Sequence, residues 1–461
     1  MWGKLHSMTL QQELDSRLQW ARDNPGLCLF PWSMTDIRRS IPNAGGPLAT
    51  CCCNLDEFKP DPSFPDYKQP DPMLRLKEHM DQGSLPPACY RCTTEEQHGG
   101  TSERIRRIIS EPMHRLEEFA KSRAVDSYGV RVKFGNLCLQ ACRICHPHDS
   151  SVWHRLANTP GKNIFETDVT DDPEFWQLIT SVIEREINLH QHFHIDLMGG
   201  ETLLQTGVDR LLDWCIERGY QDRLEVRITT SLSAMPADTL LKLTKFHRVL
   251  FMLSIDSVGY NYRYVRWPVE FAKVQGNLDY LIDFGQTHQG NFTYLLTPVF
   301  SLANIFYITE YLEYWQNWFN TRGINFRIMN TNITMPTSYL DIQALPIKYR
   351  PELTALLASA LSHDIFTQYP DQTIHLYNFI QSTMKELGTW PDNDQLWQLF
   401  LKFTADYDHR TQLQFDVSND RLYNILDQTD RDTYDKLKIK SNSATWLRTK
   451  AGLLQINGLP F

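Results

Sequence analysis

Strand-like runs and helical patterns alternate along the middle of this chain. Helical periodicity occupies the gaps between the strands, at Pro173–His190, Gly207–Gly219, Ala237–Lys245, Val269–Phe284 and Ile305–Phe319. The runs with strand character lie near 128–135, 193–198, 224–231, 248–255, 291–298 and 324–330. Strands that alternate with helices through short connections predict a parallel sheet covered by helices. We therefore expect an α/β fold over residues 125–335, with functional side chains at the C-terminal ends of its strands.

Three cysteines follow the first strand-like run directly. Cys138, Cys142 and Cys145 have the spacing C-x3-C-x2-C. Three thiolates on one loop can hold a single metal centre, whereas a structural zinc site is normally closed by four protein ligands. The spacing therefore indicates a centre with one open position. The alternative is a zinc knuckle whose fourth ligand is His146 or His148.

This cysteine loop resembles that of the radical S-adenosylmethionine (radical SAM) superfamily. The resemblance implies that Cys138, Cys142 and Cys145 bind three irons of a [4Fe-4S] cluster. It leaves the fourth iron to the amino and carboxylate groups of S-adenosylmethionine (SAM). It also implies a partial (β/α)6 TIM-like barrel, and the six predicted strands agree with that number.

The ends of later strands resemble the SAM cradle of the same family. The second strand runs into Gly199-Gly200-Glu201, similar to the family's GGEP motif, with Thr202 where proline is usual. Glycine lets backbone approach a ligand closely. The other residues that the resemblance assigns to SAM are Thr230 and Ser231 after the third strand, Ser254 after the fourth, Arg266 for the carboxylate and Ile144 for the adenine. The alternative for Arg266 is a surface arginine at a helix start, and Asp256 could equally be a turn or cap residue.

A second set of cysteines lies in residues 1–124, a Pro-rich segment with one predicted short helix near 73–82. The chain has ten cysteines, nine of them before residue 150. Clustered cysteines in a long chain with no secretion signal indicate metal ligands more than disulfides. The order of Cys28, Cys51, Cys89 and Cys92, with the motif from Glu95 to Arg104, resembles a twitch domain, the first half of a SPASM domain.

The twitch resemblance implies an auxiliary [4Fe-4S] cluster bound by these four cysteines, N-terminal to the barrel. Cys52 could replace Cys51, because adjacent residues compete for one ligand position. A four-cysteine zinc site with the same ligands is the alternative, since zinc and iron–sulfur sites share thiolate ligands. Of the remaining thiols, Cys215 is expected in the core, and Cys53 is a speculative hydrogen donor.

Residues 336–461 have a mostly helical pattern that predicts a cap over the barrel. The predicted helices are Lys348–His363, Ile374–Leu387 and Gln395–Arg410. The stretch Phe400–Arg410 resembles the C-terminal part of the same twitch-type proteins, where its role is not established. Residues 431–461 receive no assignment from the sequence.

Composition excludes some classes of function. The 461 residues carry a formal net charge of −9, which argues against generic binding to nucleic acid phosphates. No apolar run is long enough for a transmembrane helix, and the N-terminus has no apolar signal-peptide core. We therefore expect a cytoplasmic protein that binds neither nucleic acid nor membrane.

The resemblance implies an enzyme that reductively cleaves SAM to a 5′-deoxyadenosyl radical, which takes a hydrogen atom from a substrate. An external one-electron reductant is then required. The expected substrate is a ribosomally made peptide, modified by crosslinking, epimerisation or related maturation. The alternatives are the same chemistry on a small molecule or nucleoside-type substrate, and a non-enzymatic, zinc-stabilised binding protein.

Overall fold

The computed structural model of the chain divides into two compact units. One comprises residues 1–133 and 169–196, and the other residues 134–168 and 197–461. The structure describes residues 10–38, 48–49, 72–86, 89, 92–93, 96, 102–109, 111–145, 147, 149–157, 172–324, 326–330 and 338–441.

The first unit combines short strands with helices. Strand β1 (Met34–Arg38) pairs with β2 (Leu48–Ala49) in antiparallel orientation and with β3 (Ser127–Lys133) in parallel, placing Asp36 opposite Arg131. The strand order continues from β3 to β4 (His192–Met198), whose residues up to Asp196 belong to this unit. Its helices are α1 (Leu10–Asp23), α2 (Phe30–Ser33), α3 (Pro72–Asp81), α4 (Glu103–Ile109), α5 (Met113–Ser122) and α7 (Pro173–Glu186).

The second unit contains a parallel sheet. Strands β5 (Leu224–Thr230), β6 (Arg248–Leu253), β7 (Phe292–Leu296) and β8 (Arg327–Ile328) are neighbours in that order, and each pair is parallel. Between and before them lie α6 (Ser151–Leu156), α8 (Thr206–Glu217), α9 (Ala237–Leu243), α10 (Gly259–Val265), α11 (Phe271–Thr287) and α12 (Ile308–Arg322).

The amphipathic patterns explain these elements. In β5 every second residue is buried, which is the period of a strand. In α8 the buried residues include Val208, Leu211, Leu212 and Cys215, which share one face of a helix. Alternation of such strands and helices produces the parallel arrangement.

The C-terminal part of the second unit is helical. Aromatic and aliphatic side chains such as Trp397 and Phe400 are buried between these helices. The helices are α13 (Arg350–Leu361), α14 (Ile365–Gln368), α15 (Pro370–Leu387), α16 (Asp394–Thr411), α17 (Phe415–Ser418), α18 (Asp420–Ile425) and α19 (Gln428–Ser441). This agrees with the helical pattern predicted for the region.

The predicted strands and helices of residues 125–335 match β3 to β8, α7 to α9, α11 and α12 within a few residues, whereas α6 and α10 were not predicted. The short helix predicted near 73–82 is α3. Strand β1 was not predicted, because Thr35, Asp36 and Arg38 interrupt any apolar alternation. In the part of the chain that the structure describes, no helix has the length and apolar character needed to cross a membrane.

Candidate functional site

The three-cysteine loop follows β3 and ends at α6, within the second unit. Cys138 and Cys142 are buried, and Cys145 is partly buried. Two backbone hydrogen bonds fix the middle of the loop: the amide of Ala141 donates to the carbonyl of Trp267 at 2.8 Å, and that of Arg143 donates to Val265 at 2.9 Å. The residues on either side of Cys142 are therefore held against the C-terminal end of α10 and the chain just after it.

Polar side chains at the start of α6 hold the other end of the loop. Ser151 Oγ accepts from the amide of Cys138 at 3.1 Å, and Ser150 Oγ donates to the carbonyl of Gln140. Ser150 also caps α6 by accepting from the amide of Trp153, whose indole donates to the carbonyl of Cys142 at 2.6 Å. A serine at this position satisfies a helix N-terminal amide that would otherwise lack a partner.

The sulfur atoms lie among polar donors. The amide of Gln140 donates to Cys138 Sγ at 3.4 Å, and Arg266 Nη1 donates to Cys142 Sγ at 3.5 Å. Burial raises the pKa of Cys138 to about 12. The hydrogen bond between Cys145 and Cys142 lowers the pKa of Cys142 and raises that of Cys145. A metal that binds Cys138 and Cys145 must therefore displace protons from them.

The glycine turn after β4 lies against this loop. Gly199 and Gly200 have positive φ values of 107° and 55°. A Cβ on Gly200 would collide with the backbone of Leu137, and the amide of Glu201 donates to the carbonyl of Leu137 at 2.8 Å. Gln205 Nε2 donates to the same carbonyl, also at 2.8 Å. The close approach requires a residue without a side chain at position 200.

Glu201 joins this turn to the end of β5. Its buried carboxylate accepts from the hydroxyl of Thr230 at 2.6 Å and from the amide and hydroxyl of Ser231 at 3.0 and 2.6 Å. Ser233 donates to the same carboxylate at 3.1 Å. Three residues that the sequence assigned to SAM thus form one hydrogen-bonded group.

Arg266 has a protein partner in the structure. Its Nε and Nη2 each lie 2.7 Å from Asp256 Oδ2, and both side chains are buried. Asp256 Oδ1 also accepts from the amide of Val299 at 3.0 Å. Burial raises the pKa of Asp256, although Arg266 opposes the shift. Asp256, for which the sequence suggested a turn or cap role, is therefore the carboxylate that fixes the guanidinium of Arg266.

The two remaining candidates are partly exposed. The amide of Ser254 donates to the carbonyl of Thr230 at 2.8 Å, which places Ser254 beside the Glu201 group. Ile144 lies in the cysteine loop between Arg143 and Cys145.

The three thiols of the loop are a donor set that an iron–sulfur cluster or a zinc ion could use. Among the described residues, no three Cys, His, Asp or Glu side chains converge as a site for one metal ion. A four-iron cluster binds its thiolates through different irons, so its ligands need not meet at one point. The three thiols and the N–H donors to sulfur suit such a group. His146 and His148, the alternative zinc ligands, lie outside the described residues.

The first unit holds part of the second cysteine set. Cys28 is buried in an apolar cluster against which Cys89 packs. Arg104 Nη1 donates to the carbonyl of Leu27 at 2.9 Å, while Arg104 Nε donates to Glu96 Oε1, also at 2.9 Å. This arginine therefore ties the chain next to Cys28 to the segment after Cys92. Cys51, Cys52 and Cys53 lie outside the described residues.

Several residues of the site were not identified from the sequence. Gln205 lies a few residues after the Gly199-Gly200-Glu201 turn, and Ser233 a few residues after β5. A search for polar residues just past each strand end could have found both. Arg143 gave no such signal, because its partner Tyr264 is 121 residues away in the sequence. Trp153 is only 11 residues from Cys142, but nothing in the sequence indicates that its indole binds that carbonyl.

Comparisons with known proteins give weak likenesses. No protein-family model matches the chain, and no curated protein matches it. Among solved structures, it is similar to Streptococcus suis SuiB bound to precursor peptide SuiA, with 15% identity, a TM-score of 0.35, and 61% of this chain and 60% of that one covered. It is also similar to anSMEcpe with bound AdoMet and Kp18Cys peptide, with 15% identity, a TM-score of 0.35, and 50% and 59% covered.

The matched region thus spans about 60% of the length of these structures. Likenesses with so low a TM-score establish neither the family nor the activity of this chain.

Proposed function

We propose that the chain is a radical SAM enzyme. The observation that carries this proposal is that three separate segments meet at one place. The Cys138–Cys145 loop contacts the Gly199–Glu201 turn through Leu137, and Glu201 binds the end of β5 through Thr230 and Ser231. A zinc knuckle would require no such assembly around the loop.

In this proposal Cys138, Cys142 and Cys145 hold a [4Fe-4S] cluster that leaves one iron for SAM. When bound, the cluster and SAM supply a 5′-deoxyadenosyl radical that takes a hydrogen atom from the substrate. The protein contributes position and exclusion of water. Burial of Cys138 and Cys142 supports the second contribution.

The residues around the loop receive roles in SAM binding. The glycine turn offers backbone groups to the amino end of SAM, with Glu201 fixed by its four donors. Arg266 contacts Asp256 and Cys142, and an arginine has five N–H donors, so others remain for the SAM carboxylate. Ser254 serves the ribose side and Ile144 the adenine.

The second cysteine set would hold an auxiliary [4Fe-4S] cluster. Its proposed ligands are Cys28, Cys89, Cys92 and either Cys51 or Cys52. The shared environment of Cys28 and Cys89 and the Arg104 tie support a common centre. Residues 1–124 would then form the twitch domain, residues 125–335 the barrel, and residues 336–461 the helical cap.

The proposed substrate is a ribosomally made peptide, with an external one-electron reductant. Four-cysteine ligation leaves no open iron on the auxiliary cluster, which favours electron transfer over substrate binding there. Cys53 remains the proposed hydrogen donor if the reaction is an epimerisation.

Anaerobic reconstitution with iron and sulfide tests the two-cluster assignment. The full chain should bind about eight irons and eight sulfides, since each cluster has four of each. Alanine at Cys138, Cys142 and Cys145 should remove about half of the iron, and alanine at Cys89 and Cys92 the other half. Cys215→Ala is the control and should retain all of it. Stoichiometric zinc in place of iron would contradict the proposal.

A further inference from the structure

Helix α16 contacts the three-cysteine loop and the helix that follows it. The hydroxyl of Tyr407 donates to the carbonyl of Ala141 at 2.5 Å. The carboxylate of Asp408 pairs with the guanidinium of Arg143, and Arg410 Nη1 donates to the carbonyl of Leu156 at 2.7 Å. These contacts come from the stretch Phe400–Arg410, whose role could not be assigned from the sequence.

The Arg143–Asp408 pair is fully buried. Both side chains are at most 1% exposed. Tyr434 donates to the second oxygen of Asp408 at 2.9 Å, and Arg143 Nε donates to the carbonyl of Tyr264 at 2.8 Å. The guanidinium also lies 3.5 Å from the ring centre of Tyr264 and 4.2 Å from that of Tyr407. A buried arginine is costly unless a charge and hydrogen bonds compensate it, so Asp408 is required to keep Arg143 in place.

Both contacts fall on residues that immediately flank Cys142. Ala141 and Arg143 also donate their amides to Trp267 and Val265. The backbone on each side of this cysteine is therefore held from two directions, once by the end of α10 and the chain just after it, and once by α16. Apolar contacts also hold the loop in place, because Tyr407, Trp153 and Ala141 share one buried cluster.

We propose that Tyr407 and Asp408 are positioning residues for the three-cysteine loop, and that Asp408 also neutralises the positive charge that Arg143 would place beside the cluster. The second part rests on the proposed function. A positive charge near a redox centre favours its reduced form, so the paired carboxylate keeps the reduction potential of the cluster low. A low potential is what transfer of an electron to SAM requires.

Hydrogen–deuterium exchange of the full-length chain tests the positioning role without any metal. Tyr407→Phe and Asp408→Asn should each speed exchange in the peptide covering residues 136–145, by on the order of tenfold, as expected for loss of one buried hydrogen bond. The control variants are Tyr349→Phe and Asp430→Asn. Asp430 is also a buried carboxylate that accepts from a tyrosine, Tyr349, at 2.7 Å and pairs with a cation, Lys348, at 2.8 Å.

The control variants remove comparable groups, but their partners do not include the cysteine loop. They should leave exchange in residues 136–145 unchanged. Equal acceleration in the control and test variants, or none in Tyr407→Phe, would overturn the positioning role. Tyr407→Phe keeps the test decisive if Asp408→Asn does not fold.

Redox titration tests whether Asp408 neutralises the charge of Arg143. The reconstituted chain also carries Cys89→Ala and Cys92→Ala, so that only the proposed cluster of the three-cysteine loop remains. Asp408→Asn should shift the midpoint potential of that cluster upward. The double variant Arg143→Gln/Asp408→Asn removes both charges and should return the potential toward the starting value. An unshifted potential in Asp408→Asn, or no return in the double variant, would contradict neutralisation.

The two tests separate this inference from the proposed function. If no iron–sulfur cluster forms in the unmodified chain, the proposed function fails, and the exchange experiment still decides the positioning role. If the cluster forms but exchange in residues 136–145 is insensitive to Tyr407 and Asp408, the positioning role alone is wrong.

Discussion

Arg266 Nη1 lies 3.5 Å from Cys142 Sγ, while the same guanidinium pairs with the buried carboxylate of Asp256. One arginine thus connects the cysteine loop to the segment after β6. The sequence pointed to Arg266 as a partner of a ligand carboxylate. In the structure its first partner is a protein carboxylate, which presents the guanidinium to the sulfur.

Arg266→Met should destabilise the fold by about 3 kcal/mol or more, because Asp256 would keep a buried charge without its cation. Urea unfolding measures the change. The matched control is Arg263→Met, whose exposed pair with Glu270 should be worth less than about 1 kcal/mol. Equal losses in the two variants would show that the Arg266 pair has no special weight.

The same variant should have a characteristic pH dependence. Burial already raises the pKa of Asp256, and removing Arg266 removes an influence that lowers it. A carboxyl with a raised folded-state pKa penalises the folded state when charged, and the penalty disappears as falling pH protonates it. The stability gap between Arg266→Met and the parent chain should therefore narrow as the pH is lowered. A gap that widens would contradict this assignment.

Gly200→Ala should be more harmful than alanine at a glycine of similar backbone conformation. Gly200 and Gly259 have φ values of 55° and 58°, but only Gly200 has backbone where a Cβ would lie. Gly259→Ala should cost about 1 kcal/mol of strain. Gly200→Ala adds a collision with Leu137 and should cost about 3 kcal/mol in total. Thermal unfolding compares them, and equal shifts would mean that the turn does not dock tightly on the loop.

Glu201→Gln should destabilise the chain by about 1–3 kcal/mol, because an amide group would face donors that now point at a carboxylate. Glu225→Gln is the control, because Glu225 lies on β5, the strand whose C-terminal end donates to Glu201. Glu225 pairs with Arg227 and Arg248 near the surface, so Glu225→Gln should lower the stability by less than about 1 kcal/mol. Chemical unfolding provides the measurement, and a neutral Glu201→Gln would indicate that the four donors find other partners.

Cys215 should resist alkylation in the folded chain. It is 1% exposed, and burial raises its pKa to about 12. Because the thiolate is the reactive form, iodoacetamide at pH 8 should leave it unmodified until denaturant is added. Mass spectrometry of the digested protein gives the result. Rapid labelling of native protein at Cys215 would contradict its place in the core.

The sequence predicted the parts of the site that depend on local pattern. Cys138, Glu201 and Ser231 each follow a strand, and parallel strands bring their C-terminal ends to one edge, so their proximity was predictable. The sequence could indicate that position 200 needs a glycine, but not that the backbone of Leu137 would be its contact. The same local logic predicted α13, α15 and α16 but not the shorter helices of the C-terminal region or α19.

Other contacts could not be predicted from one sequence. Arg143 and Asp408 are separated by 265 residues, and nothing in the pattern of either segment indicates the other. Asp408 lies on a helix whose apolar spacing is typical of ordinary core packing. Strand β1 was not predicted for a related reason. It has only five residues, some of them charged, and it forms because it pairs with β3, which its own composition does not indicate.

Formation of 5′-deoxyadenosine from SAM under dithionite tests the central claim most directly. The reconstituted chain should release it, as detected by mass spectrometry, and the Cys89→Ala/Cys92→Ala variant should still do so. The variant with alanine at Cys138, Cys142 and Cys145 should release none. No 5′-deoxyadenosine from iron-loaded chain, or equal amounts with and without those three cysteines, would contradict the account.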